Sequence, residues 1–237
     1  MITNACPLCG NTEHAIISTR GKEIVAECPC DVWYKQTIDE TKKTKHYKKA
    51  SIWDKEFFEN RYKKISKYLW EKIGRDGRIL DIGCGNGRML DRLHGCFTKS
   101  ALTGNEASAP LFKSIKYPLI KGRFDDADFK AAEYDLIVCM GVDYLFLDHA
   151  KAMQKIASLL EPDGRLYIER NVFKDMKSFY GKTVTDIDGL LWKNLLITTW
   201  FTEDQMEKQL DKYFTRLDKI EYGEPITRCV GWLCSLR

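Results

Sequence analysis

Asp81 is followed at two-residue intervals by Gly83, Gly85 and Gly87 in the stretch RILDIGCGNGRML, Arg78 to Leu90. Glycines at this spacing permit a backbone bend that residues with a Cβ resist, and they leave peptide amides open to a ligand. The acid then narrows the class of ligand. A carboxylate is repelled by phosphate and attracts an ammonium group. The spacing points the same way, because a dinucleotide-binding turn has the form G-x-G-x-x-G and Arg88 stands where its third glycine belongs. The turn is therefore expected to meet a cationic amine rather than a pyrophosphate.

A second group of reactive residues lies at the start of the chain. Of nine cysteines, Cys6, Cys9, Cys28 and Cys30 crowd the first thirty positions, while Cys84, Cys96, Cys139, Cys229 and Cys234 are scattered and read as small core residues. CPLCG, Cys6 to Gly10, has the form of a metal knuckle, and ECPCD supplies two more thiols. Four thiolates close a tetrahedral Zn²⁺ site with no open position, so this site is structural, without chemistry of its own. Cys28 and Cys30 are separated by one residue where a ribbon usually has two, which keeps a three-ligand or disulfide reading open. A segment of this size has too little core to order itself, and metal binding would supply the missing free energy.

The elements that position these residues follow from the apolar pattern. Ile79, Leu80 and Ile82 read as a strand, and Met89, Leu90 and Leu93 as the helix after the turn. Upstream, Phe58, Tyr62, Ile65 and Leu69 form one helical stripe. Downstream, ALTGNE, YPLIKG, YDLIVCMG and RLYIER read as strands alternating with helices, among them the stripe Ala150, Met153, Ile156, Ala157 and Leu160. That alternation is the pattern of a doubly wound α/β sheet. Thr202 and Gln205 have the spacing of a capping box before Met206, Leu210 and Tyr213. RLDKIEYG and TRCVGWLCSL, joined at Gly223-Glu224-Pro225, predict a hairpin that places an antiparallel pair at the edge of the sheet. Residues 1–40 are read as the zinc-ribbon-like segment, 41–50 as a basic linker and 51–237 as the main domain.

Composition excludes several classes. A net charge of +4 is too mild to imply nucleic acid, and no apolar run reaches the ~20 residues of a membrane span. TKKTKHYKK, Thr41 to Lys49, could grip a polyanion but reads as a solvated linker. The first residues lack a basic region followed by an apolar stretch, so the expected location is the cytoplasm.

ILDIGCGNGRML resembles the first motif of class I S-adenosylmethionine-dependent methyltransferases. GNEAS, Gly104 to Ser108, is similar to their second motif, GRFDD to the segment that brackets adenine, YDLIVCMGV to the fourth motif and LLEPDGRLYI to the run into the fifth strand. The resemblance spans nearly the whole chain, and CPLCG heads occur on a branch that methylates sugars and surface polysaccharides. It implies a Rossmann-like seven-stranded sheet with an antiparallel last strand, and S-adenosylmethionine as cofactor. In this reading Asp81 serves the amino group, Gly83, Cys84, Gly85, Asn86 and Gly87 the methionine moiety, and Glu106 both ribose hydroxyls. Ala107 and Met140 lie in the matching motifs. Phe124 stands against the adenine ring, with Asp125, or less directly Asp126, at its exocyclic amine.

Where related small-molecule enzymes carry histidine after the fourth strand, this chain has Leu145. Tyr144 and His149 are the nearest bases, with the plainer readings of a cleft wall and an exposed helix-start residue beside Asp148. Glu169, Arg170 and Asn171 follow the fifth strand and could orient a polar acceptor. DIDGLLWKNLLITTWF, Asp186 to Phe201, is read as a lid or acceptor pocket, or as a core helix. The expected acceptor is a sugar, nucleotide-sugar or glycan precursor. The alternatives are an RNA methyltransferase gripping its substrate with the zinc and lysine segments, a cofactor-binding protein without activity, and a zinc head that docks the enzyme on a partner.

Overall fold

The computed structural model describes residues 2–3, 5–38, 55–130, 133–172, 199–222 and 228–237. The chain opens with β1 (Ile2–Thr3), β2 (Ala15–Arg20), β3 (Glu23–Glu27) and β4 (Trp33–Ile38). Helix α1 (Lys55–Ile73) leads into β5 (Arg78–Ile82), the glycine turn and α2 (Arg88–Cys96). Then come β6 (Ala101–Glu106), a 3-10 turn (Ala109–Ser114), β7 (Leu119–Lys121), β8 (Tyr134–Met140) and a second 3-10 turn (Asp143–Leu145). Helix α3 (His149–Leu159), β9 (Leu160–Val172), β10 (Thr199–Trp200), α4 (Glu203–Leu210), β11 (Phe214–Tyr222) and β12 (Arg228–Leu236) complete it. Among the described residues no helix is long and apolar enough to cross a membrane.

The main sheet has seven strands in the order β11-β12-β9-β8-β5-β6-β7. Strands β5 to β9 are parallel, and β12 runs antiparallel to both β9 and β11. The last two strands thus form the antiparallel pair at the sheet's edge that the hairpin predicted, β11 outermost and β12 against β9. Strand β12 inserts between β9 and β11 because Val230, Trp232, Leu233 and Cys234 are all buried and need cover on both sides. The charged β11, with Leu217 half exposed, takes the edge.

Side chains alternate between the sheet's two faces at the strand period. Ile79, Leu136, Val138 and Tyr167 pack with Ile65 and Leu69 of α1 and Leu90 and Leu93 of α2. Leu80, Ile82, Ile137, Cys139 and Ile168 face the other way, toward Met153 and Ile156 of α3 and Met206 of α4. Burying Ile65 and Leu69 completely contributes about 2 kcal/mol each. The predicted α3 stripe is rotated slightly: His149, Ala152, Met153, Ile156 and Leu159 are the buried residues. The capping box of α4 forms as its sequence requires, with Thr202 and Gln205 bonding each other's backbone amides.

The N-terminal strands form their own antiparallel sheet, in the order β1-β4-β3-β2, and β10 pairs with β4 through Thr199↔Tyr34 and Trp200↔Trp33. Cys6, Leu8, Ala26, Cys28, Val32 and Tyr34 belong to the same apolar core as the α3 face of the main sheet. The ribbon-like segment is therefore built into the fold. The lysine-rich stretch, the Gly223-Glu224-Pro225 joint and most of Asp186 to Phe201 lie outside the described residues.

Candidate active site and cysteine cluster

The glycine turn adopts the backbone its sequence demands. Gly83, Gly85 and Gly87 all have left-handed φ, at 66°, 58° and 83°. A Cβ on Gly83 would lie 2.6 Å from Val142 Cγ2, so the turn closes directly onto the loop after β8. Over Gly85 there is open space, as a bound group would need. The Gly85 amide donates to Glu106 Oε2 at 2.8 Å, and Ser108 N donates to Oε1 at 2.6 Å. Glu106, at the end of β6, is thereby fixed beside the turn at the point where the strand order reverses, which is where open α/β sheets bind ligands. Burial raises its carboxyl, while the amides of Ser108, Gly85 and Ala107 pull the other way.

Asp81 lies beneath the turn, 3% exposed, and its Oδ2 has no hydrogen-bond partner among the described residues. Burial, with the charge of Glu106 second, pushes its carboxyl up to about 8. An unpartnered buried carboxyl next to an open turn has the chemistry to receive an ammonium group.

A cavity beside the turn is lined by Gly83, Glu106, Ala107, Phe124 and Asp125 of the predicted set. It also touches Asn105, Arg123, Val142 and Phe146, which the sequence reading did not single out. Asn105 ties the strand to the next loop, its Nδ2 donating to Ile120 O and Gly122 O at 3.0 Å each. A buried asparagine at a strand end is an unusual choice and was the available signal. Phe124 packs against Phe146 with ring centroids 5.3 Å apart, and Leu147 N donates to Asp125 Oδ1 at 2.9 Å. Asp126 is exposed and paired with Arg123, so of the two aspartates only Asp125 faces the cavity. Cys84 points toward Gly104, and Asp81, Cys84, Gly85, Asn86, Gly87 and Met140 do not line the cavity.

Beyond the cavity, the loop after β8 carries a buried ionic cluster. Asp143 Oδ2 accepts from Arg170 Nη1 at 2.9 Å and lies 3.1 Å from His149 Nε2. Burial alone would raise Asp143, but Arg170 and His149 outweigh it and hold the carboxyl below its ordinary value. His149 is 1% exposed, which corrects the expectation of an exposed helix-start residue; Asp148 caps the helix and turns the imidazole inward onto Asp143. Burial lowers its pKa and favours the neutral ring. Burial likewise pushes Tyr144 up to about 12, so its phenol keeps its proton at neutral pH. Neither residue lines the cavity beside the turn. Glu169 is buried on the opposite face, paired with Arg61 and accepting from Tyr167 Oη at 2.9 Å. Asn171 is exposed.

The four N-terminal cysteines converge. Cys6 Sγ and Cys30 Sγ are 3.6 Å apart, Cys9 Sγ and Cys28 Sγ 3.4 Å, and all four sulfurs lie within 4.8 Å of one another. Sulfurs about 2.3 Å from a common tetrahedral centre would be about 3.8 Å apart, so the set fits Zn²⁺. All four cysteines are free, so neither pair is a disulfide. The one-residue spacing is accommodated at Asp31, whose φ of 62° reverses the chain after Cys30.

A family model described as a methyltransferase domain matches residues 54–213, more than half of the chain. Among solved structures, a protein from Pyrococcus horikoshii OT3 is 14% identical at a TM-score of 0.60, over 78% of this chain and 92% of that one. An S-adenosylmethionine-dependent methyltransferase from Clostridium acetobutylicum ATCC 824 is 16% identical at 0.56, over 74% and 92%. A chain from the complex of the Haloferax volcanii Trm112 methyltransferase activator with its methyltransferase is 15% identical at 0.56, over 76% and 92%. At these identities the likeness to the three structures is one of fold.

Proposed function

We propose, from the premise that this chain belongs to the methyltransferase-domain family and is an S-adenosylmethionine-dependent methyltransferase, that its acceptor is a small molecule: a sugar, nucleotide-sugar or surface-glycan precursor. The observation that carries the acceptor class is the closed end of the site. Asp143 and Arg170, at the ends of β8 and β9 where an acceptor would approach, are 0% and 1% exposed. Phe201 lies over Arg170, its ring centroid 4.9 Å from the guanidinium carbon. Among the described residues the ends of these strands carry a buried, mutually paired ionic cluster rather than an open charged groove, and the mild net charge agrees.

The cofactor, when bound, supplies a methyl group already activated on sulfonium, so the protein's task is alignment and water exclusion. Glu106 would hold the ribose hydroxyls, since only an acceptor with several lone pairs takes two adjacent hydroxyl protons. Asp81 would hold the ammonium group, with Gly83, Cys84, Gly85, Asn86 and Gly87 giving the methionine moiety a backbone floor. Phe124 and Asp125 would flank the adenine, with Ala107 and Met140 nearby. A base is required only where the acceptor atom must lose a proton. Tyr144 keeps its proton, and His149 in this reading ties the loop after β8 to Asp143 rather than facing the cofactor.

Cys6, Cys9, Cys28 and Cys30 would hold a structural Zn²⁺ that locks the ribbon against α4. Gln205 Nε2 donates to Cys30 O at 3.4 Å, and Lys212 Nζ bonds Leu8 O.

The test is mass spectrometry of sugar-nucleotide, glycan-precursor and RNA pools incubated with enzyme and methyl-labelled S-adenosylmethionine. Label in a low-molecular-weight sugar compound supports the proposal. Label confined to RNA, with salt-steep RNA retention, would replace it with the nucleic-acid reading.

A further inference from the structure

The loop carrying Phe124 and Asp125 has the ammonium of Lys155 beneath it. Lys155, on the face of α3 turned toward this loop, donates through Nζ to Phe124 O at 2.7 Å, Ala127 O at 2.5 Å and Asp125 O at 3.4 Å. An ammonium has three protons, and three carbonyls from four consecutive residues receive them. The same nitrogen lies 4.9 Å from the Phe124 ring centroid and 5.0 Å from that of Phe129, so both rings pack against its charge. Asp125 is then pinned from its other side by the Leu147 amide.

We propose that Lys155 is a positioning residue for the nucleobase: it fixes the loop backbone so that Phe124 and Asp125 stand against an adenine, and it thereby sets the preference for adenine over a 6-oxo purine. This rests on the S-adenosylmethionine reading of the cavity. A lysine whose only task was to bury its stem would leave those carbonyls to water. Here the head group, not the stem, makes the contacts. Because the carbonyls converge on one point, a compact ammonium suits them better than a planar guanidinium.

The test is calorimetric titration of S-adenosylhomocysteine and its inosine counterpart, S-inosylhomocysteine, into wild type, Lys155→Met and Lys155→Arg. Lys151→Met, an exposed change one turn away on α3, is the control. Wild type and Lys151→Met are expected to bind the adenine compound and to discriminate against the inosine one. Lys155→Met should weaken the adenine compound by about tenfold or more and narrow the discrimination, while Lys155→Arg, keeping the charge, falls between. A merely structural lysine would change affinity for both compounds by one factor and leave their ratio untouched, which would overturn the proposal. If Lys155→Met does not fold, Lys155→Arg with a wild-type ratio does the same. Wild type binding neither compound would bring down the cofactor reading itself.

Discussion

Replacing Asp81 with Asn separates what the carboxyl does for the ligand from what it costs the fold. In the folded chain its pKa is about 8 against an ordinary 3.8, raised first by burial and then by Glu106. Between those values the unfolded chain has released the proton and the folded chain has kept it. Stability attributable to this group is therefore complete below pH 4 and falls as pH rises, by about 1.4 kcal/mol per unit, until pH 8. At pH 7 the deficit is about 4 kcal/mol relative to a neutral isostere of the same shape. Urea unfolding of wild type and Asp81→Asn without ligand, at half-unit steps from pH 5 to 9, should give a difference curve that favours Asn. It should widen up to about pH 8 and level off beyond. The same change should weaken S-adenosylmethionine by about tenfold or more, since the ammonium loses its anionic partner. Wild-type affinity should itself rise with pH toward 8, as binding no longer has to strip a proton from Asp81. Parallel unfolding curves for the two proteins, or an Asn variant that binds the cofactor as wild type does, would refute the reasoning.

Three further outcomes follow from the geometry. Glu106→Gln leaves only one oxygen for the two amides of Gly85 and Ser108, and should weaken cofactor binding by about 10- to 100-fold in calorimetry while the far-ultraviolet spectrum is unchanged. Gly104→Ala places a Cβ 2.7 Å from Cys84 Sγ and 3.2 Å from Leu90 Cδ1; it should cost about 1–3 kcal/mol in urea unfolding, and Cys84→Ala in the same chain should recover part of that loss. Atomic emission should find one zinc per chain, absent in Cys28→Ser, and stripping it with a chelator should lower the melting temperature of the whole protein rather than release a separate early transition, because the cysteines share the main core.

The parts of the site legible in the sequence are those specified by neighbours along the chain. A left-handed turn needs glycine, a buried carboxyl two residues before it needs a reason, and paired cysteines carry their spacing with them; all three were visible in short windows. Glu106 was legible because the end of the strand after the turn lies beside the turn in any such sheet. What could not be read depends on contacts between distant segments. His149 looked exposed because it starts a helix beside an aspartate, yet Asp143 and the ring of Phe201, 5.1 Å away, draw it in. Glu169 and Arg170 are adjacent in sequence and lie on opposite faces of β9, each paired with a different partner, Arg61 or Asp143. Lys155 gave no signal at all, since a lysine on a helix ordinarily faces water and only the fold of residues 124–127 explains its aim.

The pairing of β10 with β4 links the cysteine segment to the buried ionic cluster of Asp143, His149 and Arg170. Strand β10 is two residues long and too short to persist alone; it is held by Tyr34 and Trp33 on a strand that begins three residues after Cys30. The next residue, Phe201, is fully buried between His149 and Arg170, and the capping box that follows starts α4, whose Gln205 bonds Cys30 O. One continuous path of packed groups thus runs from the thiol cluster through β4, β10 and Phe201 to the ionic cluster at the ends of β8 and β9. A ribbon that merely carried the enzyme to a partner would need none of these contacts. The shared packing is the physical reason to regard residues 5–38 and the main domain as one folded unit.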